Sequence, residues 1–386
     1  MIDMNGASGF AYGIYNATPG GNGDDIRQGA SVNAYANNAG AAAEGTVILN
    51  YNNINSTVPV YATLSSMMKQ AYPELPDGAA AVYGAMLAGN AFVVGDGKAV
   101  GQITINQAGK GDVYGNVGGY NAGVFGTASG NASVLSVLNL NVGAASSAKI
   151  YGIYGSGFNA GLLEGNGEVS GVISIEQNGS GNVYGIYAKG MAYNTAANEN
   201  TTGEVNGIIQ ITSNGNGTIY GIYGDGFAAI NAWGNRGTMT VNGSLEITQN
   251  GLGTVYGIYA NSESDSLHIA NSSGESNISG VVNINQKASG TAIGMYGGKN
   301  SEMHNYANDE ITVKTSASDG ILVGMYAKGA QRVENAGSIT LTGNGSGNAY
   351  GIYIVPESGV ATTVTHSGSI NINNVANGYG IYVYDN

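Results

Sequence analysis

Apolar and polar residues alternate in short runs along the chain. In Ile173-Ser174-Ile175-Glu176 the isoleucines fall on one side and the serine and glutamate on the other. Alternation with period two predicts strand rather than helix. The same run returns at Ile103/Ile105, Ile209/Ile211, Leu245/Ile247, Val282/Ile284, Ile311/Val313, Ile339/Leu341 and Ile370/Ile372. A second phrase follows each of them. Tyr-Gly-Ile-Tyr stands intact at 12–15, 151–154, 184–187, 220–223, 256–259, 350–353 and 379–382, and in altered form at 83–86, 114–117, 293–296 and 323–326. Val58-Pro59-Val60-Tyr61 reads as a degenerate copy in an otherwise empty gap. Twelve copies between Gly13 and Gly380 recur on average about every 33 residues, the mark of a repeat architecture.

Spacing separates a rigid part of the repeat from an elastic one. The second apolar residue of the alternating run lies ten residues before the central glycine in most copies, as from Ile175 to Gly185 and from Ile247 to Gly257. Turn-forming residues fill that interval: Asn178-Gly179-Ser180-Gly181, Asn214-Gly215-Asn216-Gly217 and Asn344-Gly345-Ser346-Gly347. The remainder stretches, because intervals between central glycines run from 27 to 37 residues from Gly84 onward. A third short strand is expected in this elastic part, ending in the recurrent Val/Ile-Asn/Ser-Gly at 169–171, 205–207, 241–243 and 278–280.

Such units cannot close a core singly, but stacked units bury a shared apolar row. The expected fold is therefore all-β, a right-handed parallel β-helix (β-solenoid) of about 11–12 coils forming one domain over 1–386. Right-handedness follows from the shortest intervals. A left-handed hexapeptide solenoid needs about 18 residues per coil, and intervals of 27 to 31 do not hold two of them. At roughly 4.8 Å per step the rod is on the order of 50 Å long. Alternation through Tyr184-Gly185-Ile186-Tyr187 places Tyr184 and Ile186 on the inward face and Tyr187 outward. A possible aromatic surface ladder then runs through Tyr154, Tyr187, Tyr223, Tyr259, Tyr296, Tyr326, Tyr353 and Tyr382, as coil-to-coil support or as a binding surface. One region departs from the pattern: Leu64, Met67, Met68 and Ala71 have helical spacing, and Pro73 and Pro76 close it. This predicts a short helical insert near residues 62–72, within a 62–76 segment.

Composition narrows the classes. Gly accounts for 66 of 386 residues and Asn for 47, yet 42% of residues are apolar, so there is area to bury. Glycine without a three-residue period and only 5 prolines exclude collagen. A net charge of −13 disfavours nucleic acid and anionic membrane surfaces as partners. No apolar run reaches the roughly 18 residues of a membrane-spanning helix, and the first ten residues lack the features of a secretory signal. With 0 cysteines there are no disulfides and no thiolate ligands or nucleophiles.

Candidate chemistry is sparse. His268, His304 and His366 lie in different repeats, and each reads as a surface residue. No Gly-x-Ser-x-Gly elbow occurs. Glu164, Glu168, Glu176, Glu199, Glu204 and Asp225 are scattered, whereas polysaccharide cleavage needs acidic residues clustered on one face. Gly20-Gly21-Asn22-Gly23-Asp24-Asp25 and Lys110-Gly111-Asp112 read as turns rather than as calcium or receptor motifs. The reading is thus of no catalytic residues, no metal site and no cofactor.

Asn335-Ala336-Gly337-Ser338-Ile339-Thr340-Leu341-Thr342-Gly343, followed by Gly347-Asn348-Ala349-Tyr350-Gly351-Ile352-Tyr353, resembles the passenger domains of bacterial autotransporters (type V secretion). His366-Ser367-Gly368-Ser369-Ile370-Asn371-Ile372 repeats the style, which covers roughly 10–384. The resemblance implies a right-handed β-helix exported across the outer membrane of a Gram-negative bacterium. It further implies a place on the cell surface, with adhesion or self-association as the activity. The partners it implies are host-surface or cell-surface proteins or glycans, or other copies. The family's outer-membrane barrel and signal are not recognisable in this sequence, so a fragment of a longer passenger is expected. Two alternatives remain: a polysaccharide-binding or polysaccharide-degrading β-helix of the tailspike or lyase type, and a self-assembling structural fibre.

Overall fold

The structure, a computed structural model, describes strand backbone between Ile2 and Val383. Side chains are described chiefly over 137–153, 169–187, 205–224, 240–260 and 280–384. The chain is an all-β parallel β-solenoid, with about six turns described in full. No α-helix occurs among the described residues.

From Gly95 onward each coil contributes three strands. One typical coil consists of Leu162–Val169, Val172–Gln177 and Val183–Ala192. These will be called its Val, Ile and Tyr strands after the residues they bury or stack. Over this span the strands of adjacent coils pair in parallel, so Ile173 stands opposite Ile209 and Tyr184 opposite Tyr220. All twelve Tyr strands, from Ala11–Asn16 to Asn377–Val383, form one sheet. The Val strands end at Val169, Val205, Val241 and Ile278, where the recurrent Val/Ile-Asn/Ser-Gly motif places a corner. At one such corner Asn206 N–H and Gly207 N–H both donate to Val169 C=O at 2.8 Å, which satisfies the bend from the coil below.

Packing explains the sequence pattern. Val169, Ile173, Ile175, Val183 and Ile186 of one coil all point inward and are at most 1% exposed. Their equivalents Val205, Ile209, Ile211, Ile219 and Ile222 lie on top of them, equally buried. The alternation predicted for the Tyr strand breaks at its central glycine. Val183 and Ile186 both face the core, while Tyr184 is half-buried and stacks on its counterparts outside, so the inward placement of Tyr184 is corrected. The pairing skips Gly185 and its equivalents one for one, a break in the ladder repeated in register from coil to coil.

The glycine is needed for space. A Cβ on Gly185 would lie 2.5 Å from Gly221 O and 3.0 Å from Ile209 Cγ2, and one on Gly221 would lie 2.5 Å from Leu245 Cδ2 and 2.6 Å from Gly257 O. Only glycine lets the next coil come this close.

Two further expectations shift. The degenerate copy exists in another frame. Tyr61, not Val58, is the residue opposite Tyr12 and Tyr83, so the phrase is Tyr61-Ala62-Thr63-Leu64 within strand Val60–Ser65. The start of the expected helical insert is therefore extended, and the rest of it, 66–76, lies outside the described residues. The elastic part grows by lengthening strands. Tyr strands run ten residues in Val183–Ala192 and Ile219–Ala228, and Val strands shrink from eight residues in Leu162–Val169 to four in Glu302–Asn305, Arg332–Asn335 and Thr363–His366. Where both are long they lie against one another and extend the coil sideways. One antiparallel element breaks the regularity: Asp25–Gln28 pairs with Val32–Asn37, which pairs antiparallel with the start of Gly40–Tyr51.

Candidate functional site

The outer face of the Tyr sheet carries the most regular side-chain array of the molecule. Tyr187, Tyr223, Tyr259, Tyr296, Tyr326, Tyr353 and Tyr382 stack in one column, with centroid separations from 4.5 Å (Tyr259–Tyr296) to 5.4 Å (Tyr296–Tyr326). Tyr154 is in register with Tyr187, and its side chain lies outside those described.

A second column, which strict alternation hid, runs beside it. Tyr151, Tyr184, Tyr220 and Tyr256 stack at 4.9, 5.0 and 5.1 Å, and Tyr350 stacks on Tyr379 at 5.2 Å. Ile293 and Val323 take the tyrosine's place in the two coils between. Within a coil the columns meet edge to face: Tyr184–Tyr187 at 5.4 Å and 90°, Tyr220–Tyr223 at 5.2 Å and 82°. Both flanking tyrosines lie on one side of the strand, on either side of the break in pairing at the central glycine. The sequence signal was present in the doubled tyrosine of the phrase; the local kink was not.

Geometry limits what this face can do. Tyr223 has Tyr187 on one ring face and Tyr259 on the other, at 5.0 and 5.1 Å. A sugar-stacking platform needs open ring faces, and inner rings of these columns present edges. Burial is the main cause that raises the phenol pKa values. Tyr220 is pushed from 10.0 up to about 12, with the neighbouring Tyr184 and Tyr256 adding to it. Tyr184, Tyr256, Tyr259, Tyr326, Tyr350 and Tyr353 shift in the same direction, again chiefly by burial. Burial thus favours the uncharged form of these seven stacked phenols.

Polar side chains are organised as ladders as well. Asn214 Nδ2 donates to Asn178 Oδ1 at 2.6 Å and Asn250 Nδ2 to Asn214 Oδ1 at 2.5 Å, along the exposed turn. Inside the same turn Gln249 is fully buried, and its Nε2 donates to the carbonyls of Gly215, Leu252 and Gly217 at 3.2, 3.3 and 3.4 Å. Gln286 does likewise with Gly253 and Ala288. At the other corner the inward Val of earlier coils becomes Asn305 and Asn335, joined by a 2.6 Å hydrogen bond.

The candidate chemical residues are dispersed. His304 is buried rather than on the surface. Its Nδ1 lies 3.1 Å from Glu334 and its Nε2 3.5 Å from Glu302, while Arg332 holds the same Glu334 at 2.9 Å. His366 is exposed, 3.1 Å from Asn335 Nδ2, and His268 lies outside the described residues. Asp112 Oδ1 accepts the Lys149 backbone N–H of the next coil at 2.9 Å, a structural role for the Lys110-Gly111-Asp112 turn. Most of the Gly20–Asp25 stretch is outside the described residues. Among the described residues no group of three His, Cys, Asp or Glu is placed to hold a metal ion, and no helix is long and apolar enough to cross a membrane. No protein-family model, curated protein or solved structure matches the chain.

Proposed function

We propose that the chain is a non-enzymatic, surface-exposed or secreted rod of the autotransporter-passenger kind. Its long coils present their sideways extensions for adhesion or self-association. The observation that carries this reading is the division of labour within each coil. The Ile strand and the inner half of the Tyr strand keep one register from coil to coil, whereas the turn between them changes in length and the Val strands on the far side vary from four to eight residues. Variable segments carried on strands of fixed register are the arrangement expected of a display surface. The net charge of −13 supports a protein or glycan partner over a polyanion.

The extensions can be removed in register. Deleting 191–199 together with the matching 227–235 reduces both coils to the length of the one that holds Tyr326. Cells displaying the shortened chain are expected to retain its β-sheet circular dichroism and to lose binding to host cells or to each other. Undiminished adhesion and aggregation with both extensions gone would refute the proposal.

A further inference from the structure

The paired tyrosine columns thin to one column at a single place. In the coils of Tyr296 and Tyr326 the second column holds Ile293 and Val323, so neither tyrosine has another beside it in its own coil. The coils on both sides keep the in-coil pair edge to face, as in Tyr256–Tyr259 at 80° and Tyr350–Tyr353 at 84°. The remaining column is widest at the same place. Tyr296 and Tyr326 are 5.4 Å apart and 17° out of parallel, against 5.1 Å and 5° for Tyr223–Tyr259. Tyr296 receives a diagonal edge contact from Tyr256 at 5.9 Å, whereas Tyr326 stacks on Tyr296 and Tyr353 and meets no ring edge to face among the described residues. Both phenols are partly exposed.

We propose that Tyr296 and Tyr326 are an oxidative cross-linking site, joined as dityrosine by hydrogen peroxide and a haem peroxidase. One peroxide takes one electron and the hydroxyl proton from each phenol and is reduced to two waters. The two phenoxyls couple through ring carbons ortho to oxygen. A carbon–carbon bond forms between the rings, and the hydrogen of each coupled carbon passes to the oxygen, which restores both phenols. The product has two hydrogens fewer than the pair. Register supplies the encounter, because Tyr296 and Tyr326 stand opposite one another on adjacent strands. Coupling also requires a ring to turn from face to face to edge to edge, and Tyr326 is the ring that no tyrosine in its own coil wedges in place. The chain has 0 cysteines, so a covalent staple between coils has to come from another side chain. The site is independent of whatever the sideways extensions bind.

Trypsin separates the participants. Cleavage after Lys287, Lys299, Lys314 and Lys328 leaves Tyr296 in 288–299, Tyr306 in 300–314 and Tyr326 in 315–328, each as the one tyrosine of its peptide. Tyr306 serves as an internal control, being 42% exposed and outside the columns. The full chain is treated with peroxide and peroxidase under conditions that couple free tyrosine, over a series of protein concentrations. The expected product is 288–299 joined to 315–328 less two hydrogens, in chains of monomer size, with a yield per chain that does not depend on concentration. Tyr326→Phe keeps the stacked ring without the phenol, and should abolish this product while circular dichroism stays unchanged. Absence of the joined peptides would overturn the proposal. So would coupling of 300–314 to 288–299 in equal yield, or cross-links confined to dimers and larger species.

Discussion

At the scale of single residues, the central glycine of the phrase determines whether coils can stack. A Cβ on Gly221 would lie 2.5 Å from a leucine side chain and 2.6 Å from a backbone carbonyl, and the carbonyl belongs to the sheet itself and cannot move away cheaply. Gly221→Ala is therefore expected to destabilise the fold by about 1–3 kcal/mol, the usual cost of overpacking, read as a lower urea midpoint. An unchanged midpoint would mean that the coil spacing is looser than the geometry implies. Gln249 sets the opposite problem. Its amide nitrogen serves three turn carbonyls from inside the core, so Gln249→Leu should cost about 1–3 kcal/mol despite adding apolar volume. A stabilised variant would show that those carbonyls find other donors.

At the scale of the element, the Tyr strand is stabilised on its outer face by aromatic contacts. Tyr223 stacks on two rings and meets others edge to face, each contact worth about 0.5–1.5 kcal/mol beyond burial. Tyr223→Ala should be strongly destabilising, and Tyr223→Phe, which keeps the ring, close to neutral. Equal loss in both variants would move the stabilisation from the ring to the hydroxyl. This strand also shows how far the pattern could be read. The expectation placed Ile186 inward and the following Tyr187 outward, and Ile186 is buried while Tyr187 stacks on the outer face. Tyr184 was misplaced because alternation carries through a glycine only if the backbone stays regular. At Gly185 it does not, and the strand pairing skips that residue.

At the scale of the whole molecule, the coupled tyrosine columns link stability to alkaline pH. The folded state holds the Tyr220 proton up to about pH 12, while an unfolded tyrosine releases it near 10.0. The folded chain thus binds more protons than the unfolded chain between these values, and stability falls as pH rises through this window. Stability should be fully present below pH 10. Tyrosinate absorbance from Tyr220 and its raised neighbours Tyr184 and Tyr256 should appear together with loss of β-sheet circular dichroism, rather than before it. Ionisation of all phenols near pH 10 with the fold intact would contradict this. Because each coil contacts chiefly its neighbours, a substitution such as Gly221→Ala should also broaden the unfolding transition by separating the coils on either side.

The sequence by itself determined the repeat, its three-strand unit, the corner at Val-Asn-Gly and the inward aliphatic rows. Each of these is a local preference copied many times, and repetition makes a weak signal legible. The tertiary structure decided the second tyrosine column, the buried glutamine and asparagine ladders, the enclosure of His304 between two glutamates, and the frame of the copy at Tyr61. Those depend on what the next coil places opposite a residue. A contact at a sequence distance of about one repeat is set by three-dimensional register, which no single period records.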